Sequence, residues 1–119
     1  MAITSAICNS FKQEILVGTH NLTASTGDTF KLALFTSSAS LGASTTAYST
    51  SNEVSGTGYS AGGATLTSVT PVLDSSTAVC DFSDVSFTSA SFTANGCLIY
   101  NSSQSDKAVA VIAFGGDKT

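Results

Sequence analysis

Residues 53–63, EVSGTGYSAGG, hold four of the chain's ten glycines, Gly56, Gly58, Gly62 and Gly63. Gly56 to Ala61 satisfy the relaxed dinucleotide fingerprint, so their reading separates a nucleotide-binding α/β fold from a β scaffold. The fingerprint works only where a buried strand leads in and a helix N-terminus follows, because the helix supplies the free N–H groups that hold pyrophosphate. Neither flank fits. AYSTSN (47–52) lacks the apolar run of a buried strand, and GATLTSVTP (63–71) is β-like and closed by the only proline. Gly56, Gly58, Gly62 and Gly63 are therefore structural turn residues, leading into a strand at 64–69 with Tyr59 packed on or near the turn.

Outward from that turn the chain reads as strands. DTFKLALFT (28–36) alternates Phe30, Leu32 and Leu34 against Lys31, Ala33 and Phe35, and its second face is only half polar, so something covers it. ATLTSV (64–69), AVCDFSDVSF (78–87), GCLIYN (96–101) and AVAVIAF (108–114) are further strands. A phase change at Ser83 and Asp84 predicts a bulge or a break in the second of these. Pro71 is expected just past the end of its strand. Asn95-Gly96 signals a hairpin turn, and NSSQSDK (101–107) a polar hairpin loop. At the N-terminus, residues 5–17 place Cys8, Phe11 and Ile15 opposite Lys12, Gln13 and Glu14, which predicts a short amphipathic helix capped by Ser5 or Ser10 and stopped at Gly18. The sum is a mostly β fold: one β-sandwich or jelly-roll-like domain over 1–119 with one short N-terminal helix.

Composition agrees. Only 10% of the 119 residues are charged against 42% hydrophobic, and Ser with Thr fill roughly a third of the positions, so the surface is hydroxyl rather than ionic. Four lysines, no arginine and a net charge of −4 disfavour nucleic acid as a partner. No apolar run approaches the ~20 residues of a membrane span, and no secretory leader is evident, which places synthesis in a reducing cytoplasm. Cys8, Cys80 and Cys97 have no metal-ligand spacing; buried thiols are the favoured reading, with a Cys80–Cys97 bridge as the alternative. The lone His20 reads as a turn or capping residue, and the carboxylates Asp81 and Asp84 as a solvated face. No catalytic constellation, metal site or cofactor site is signalled. Residues 37–58 lack sustained periodicity, and so long a loop points to a surface that touches another chain; Tyr48, Asn52, Glu53 and Tyr59 are its candidate contact residues.

FKQEILVGTH (11–20), DTFKLALFTSSASL (28–41), TTAYSTSNEVSGTGYSAGG (45–63) and LIYNSSQSDKAVAVIAFGGDK (98–118) together resemble a family of small virion proteins of tailed bacteriophages. The segment Asn52 to Gly63 is the most specific part. The resemblance implies a non-enzymatic structural protein of the virion, made in the cytoplasm of a bacterial host. On it rests the expectation of a capsid decoration or cement protein that contacts the major capsid protein and self-associates, for example as a trimer. A tail or fibre component, acting as adaptor or as a glycan-binding module through Tyr48, Tyr59 or Tyr100, is the alternative. Similar proteins continue beyond FGGDKT with another β-like stretch, whereas this chain stops at Thr119. An unpaired last edge would accept a strand from a neighbouring subunit.

Overall fold

A computed structural model describes residues 2–119. Its elements are β1 (Ala6–Ile7), α1 (Asn9–Leu16), β2 (Phe30–Phe35), β3 (Ala64–Thr65), β4 (Ser68–Asp74), β5 (Thr77–Phe82), β6 (Ala94–Asn101) and β7 (Lys107–Lys118), with a single 3₁₀ turn at Ser102–Gln104. Five strands form an antiparallel sheet in the order β1-β7-β6-β2-β3, and β4 and β5 form a separate two-stranded ribbon. The protein is mostly β with one short N-terminal helix, as the sequence predicts.

The central strand β6 pairs along its length with β2 and β7, and both of its faces are covered. On one face Ala33, Phe35, Leu98, Tyr100, Ala108 and Val111 pack with Ile3, Cys8 and Ala39 from the N-terminal segment and the loop after β2. On the other, Leu34 and Cys97 meet Phe87 and Phe92, and Phe30 and Val109 meet Leu66, Phe82 and Val85. The half-polar second face of β2 is thus buried under the chain's own loops, which gives a sandwich-like arrangement with irregular outer layers. Full burial of side chains the size of Phe30, Phe35 and Leu98 contributes about 1.5–3 kcal/mol each, so the sheet centre carries most of the stabilisation.

Several local expectations shift. Helix α1 is shorter than 5–17, because Ala6 and Ile7 pair instead with Ala110 and Val111 of β7. Cys8 stands at the N-cap without a side-chain cap bond, and the Ser5 hydroxyl accepts from the Ala113 N–H at 2.8 Å. Gly18 does end the helix, at φ +78. The strand expected at 64–69 divides: Ala64 and Thr65 join the main sheet, Leu66 and Thr67 lie between strands, and Ser68 and Val69 enter the ribbon. Pro71 lies inside β4, where the register shifts between Val69 and Val72. An edge strand with a bulge tolerates the missing N–H there. Asn95 and Gly96 lie within β6 rather than in a turn, again at a register shift; a Cβ on Gly96 would come within 2.7 Å of the Ile112 carbonyl oxygen and of Ile3. Strand β5 stops at Phe82, so the break expected near Ser83 occurs, but 83–87 continues as irregular chain.

The ribbon departs most from the sequence reading. Nearly every residue of β4 and β5 is exposed. A two-stranded ribbon is marginal alone in water; here Phe82 anchors it on Phe30 at 5.7 Å between ring centroids, and the Ala24 N–H donates to the Thr70 hydroxyl at 3.1 Å. Cys80, expected to be buried, is exposed on this ribbon, whereas Cys8 and Cys97 are buried, and all three thiols are free. Burial raises the Cys97 thiol to about 11 and so suppresses the nucleophilic thiolate. One thiol per chain should therefore react with a maleimide under native conditions. Cys80→Ser should abolish that fast phase, and fast reaction of a second thiol would contradict the packing of Cys8 or Cys97.

Candidate functional site

The candidate contact residues converge on Glu53. It follows Asn52, whose φ of +63 turns the chain after the loop, and Asn tolerates this left-handed conformation better than most residues. Glu53 then forms a bridge with Phe35 that directs its carboxylate across the sheet end. Oε1 accepts from the Tyr48 hydroxyl at 2.7 Å. Oε2 accepts from the Tyr59 hydroxyl and from the Gly62 N–H, the latter at 2.8 Å. The Tyr59 oxygen in turn accepts from the Leu34 N–H of β2 at 2.9 Å, and the Tyr100 hydroxyl donates to the Gly62 carbonyl at 2.6 Å. Tyr48 stacks on Tyr100 with centroids 4.5 Å apart. All three tyrosines of the chain thus join one carboxylate and one glycine peptide.

The glycines make this convergence possible. Gly58, Gly62 and Gly63 adopt φ of +84, +96 and +81, a region where a Cβ is strained. Gly56 keeps an ordinary φ but lies where a Cβ would sit 2.9 Å from the Ser91 carbonyl oxygen. The turn leads into β3, not into a helix.

Burial first, then the neighbouring Glu53 carboxylate, pushes the Tyr48 and Tyr59 hydroxyls well above the ordinary tyrosine range. Burial, with Asp106 and Glu53, raises Tyr100 to about 12. A folded-state value above the unfolded ~10 gives stability that is complete below pH ~10 and is lost as pH rises toward the folded values. Tyrosinate absorbance at rising pH should accordingly appear in one step with unfolding. Three independent titrations near pH 10 with the fold intact would contradict the network.

A second cluster was not legible in the sequence. His20 is buried and is neither a turn nor a cap: its Nε2 lies 2.9 Å from Glu14 Oε1 of α1, and its Nδ1 lies 2.9 Å from Asn101 Nδ2 at the end of β6. Asn101 Nδ2 also donates to Asp28 Oδ2 at 2.8 Å, and its Oδ1 accepts from the Ser103 N–H at 3.0 Å. Those two contacts fix the amide orientation. Asn101 therefore donates to Nδ1, and the proton on Nε2 points to Glu14. Hydrogen bonding from Asn101, Asn21 and Gln104, opposed by burial, leaves Asp28 below the usual carboxylate range. Phe11 and Phe30 enclose the imidazole. The cluster clips α1 and the 19–29 loop to the sheet.

Both clusters spend their polar groups on one another. The two oxygens of Glu53 are occupied by donors from the chain itself, and the tyrosine hydroxyls that a sugar would need are engaged. Of the four candidate contact residues only Asn52 is exposed, beside an uncharged cleft of about 640 Å³ walled by Thr45, Ser49, Ser51 and Ala2 over Phe35. Asp81 and Asp84 are both exposed. Among the described residues no helix is long and apolar enough to cross a membrane.

The largest unsatisfied feature is apolar. Leu16 and Val17 at the end of α1 are 85% and 66% exposed, and Val72 and Leu73 on the ribbon are 61% and 75% exposed. Between them runs a groove of about 520 Å³ lined by Ile15, Leu22, Pro71, Ala78, Val79 and Cys80. Helical signals and a two-faced exposed ribbon gave no warning of this patch, since an amphipathic pattern does not reveal which apolar residues lack a cover. No family model, curated protein or solved structure matches the chain.

Proposed function

We propose that the chain is a non-enzymatic structural subunit of a tailed-bacteriophage virion. Within that class the favoured role is a capsid decoration or cement protein, docked on the major capsid protein and stabilising the shell. The observation that carries this reading is a contrast: the tyrosines, Glu53, His20 and Asn101 are spent on internal hydrogen bonds, while apolar side chains on α1 and the β4–β5 ribbon project outward without a cover. Exposed apolar patches of this kind mark association surfaces. The sequence resemblance supplies the particle. Tyrosines committed to Glu53 and Gly62 make a glycan-binding tail module the weaker alternative.

Particles lacking this protein should rupture at lower temperature than complete ones, and added protein should restore the difference. Equal rupture temperatures would overturn cementing. Copy number separates the two roles: a decoration protein is present in hundreds of copies, a tail component in a few or a few dozen.

A further inference from the structure

The groove between α1 and the ribbon, and the ribbon tip, are complementary parts of one surface. In the ribbon register Val72 faces Val79 and Leu73 faces Ala78, so Leu73 shares a side with Ala78, Cys80 and the anchored Phe82. That side overhangs the groove. Leu73 itself lies at the tip beyond the body, next to Asp74 and the Ser75-Ser76 turn. The exposed face of α1 carries Leu16 and, one turn earlier, Lys12.

We infer that the ribbon tip of one copy docks in the α1–ribbon groove of a second copy, with Leu73 against Ile15, Leu16 and Leu22 and with Asp74 beside Lys12. Charge selects this occupant. The segment 68–84 carries Asp74, Asp81 and Asp84 and no lysine, whereas Lys12, Lys31, Lys107 and Lys118 all lie on the body. Ribbon against ribbon would oppose like charges, whereas the free charge that α1 presents is Lys12, its Glu14 being held by His20 and Lys107. Because donor tip and acceptor groove are on the same chain, the contact forms a reciprocal pair or a ring where the rotation between copies closes, and an open filament where it does not.

This contact names the self-association surface of the subunit proposed above and rests on that reading only for its place on a particle. The test uses the purified chain. Sedimentation and light scattering from micromolar to millimolar chain should show oligomers of the wild type. Leu73→Asp and Leu16→Asp, both at exposed positions that the fold does not need, should each weaken association by at least ~100-fold by placing a carboxylate in an apolar contact, leaving the 11.9 kDa species. An equimolar mixture of the two variants retains one intact tip and one intact groove and should form a two-chain species. Asp74→Lys should weaken association, and adding Lys12→Asp should restore it. A wild type that stays monomeric throughout, a mixture that fails to associate, or a charge exchange without recovery would each overturn the contact. An oligomeric chain that is absent from purified particles would instead preserve the contact and remove the virion assignment.

Discussion

Gly63→Ala should leave little or no folded protein. Gly63 has φ +81, and a Cβ there would overlap the Leu32 carbonyl oxygen, lying 2.6 Å from the Leu32 carbonyl carbon and 2.8 Å from the Ala33 Cα. These are backbone atoms of β2, which is held on its other edge by β6 through six residue pairs. The clash cannot be relieved by a side-chain rotation. Strain from the left-handed conformation adds ~1–2 kcal/mol, and displacing β3 forfeits its two pairs with β2. The total should exceed ~4 kcal/mol, a large share of the 5–15 kcal/mol that stabilises a typical domain. Gly62→Ala provides the comparison. Its φ is +96, but its nearest contacts are the flexible end of Lys31 at 3.4 Å and the Tyr100 hydroxyl at 3.5 Å. It should lose only the conformational part, ~1–2 kcal/mol, so denaturant midpoints should fall far more for Gly63→Ala. Equal midpoints would show that β3 does not pack against β2 as described.

Glu53→Ala should be the most damaging side-chain truncation outside the sheet. It leaves the Tyr48 and Tyr59 hydroxyls and the Gly62 N–H without their acceptor. An unsatisfied buried donor costs ~1–3 kcal/mol; partial exposure of Tyr48 lets water replace one bond, so a loss of ~3–4 kcal/mol is expected. For a chain of this size that lowers Tm by more than ~10 °C. Glu53→Gln should recover most of it. The amide oxygen can accept from Tyr59 and Gly62 while the amide nitrogen donates to the Tyr48 oxygen. Thermal unfolding of the pair distinguishes the network from simple packing, because packing alone would make Gln and Glu equivalent and Ala only slightly worse.

The sequence exposed the parts of the fold in which each residue acts through its own face of a strand. Alternation in FKLALF located β2, and the apolar run around Leu98 and Tyr100 located β6. β5 lies within the strand expected at 78–87, but its pairing with β4 as a separate ribbon escaped, because both faces of that ribbon are exposed and because Pro71 reads as a terminator when it in fact occupies a bulge. Within the candidate site, Tyr48, Asn52, Glu53 and Tyr59 were recognised as a group, but the hydrogen bonds by which Tyr48 and Tyr59 meet on Glu53 were not. Which side chains share a hydrogen bond across 5 or 6 positions of irregular chain depends on the turn between them, which periodicity does not encode. His20 and Asn101, 81 positions apart, left no local trace at all, although a lone histidine followed by an Asx-rich loop could have prompted a search for its acceptor.

The pairing of β1 with β7 also governs the order in which the molecule can be made. Ala6 and Ile7 find their partners at Val111 and Ala110, and the Cys8 N–H donates to Val109. At ~5–20 residues per second on a ribosome, the N-terminal segment therefore emerges on the order of 10 s before the strand that receives it. During that interval Ile3, Ile7 and Cys8 have no sheet to cover. Nascent-chain folding should consequently be late and abrupt, set by the arrival of β7 rather than by growth of structure from the N-terminus.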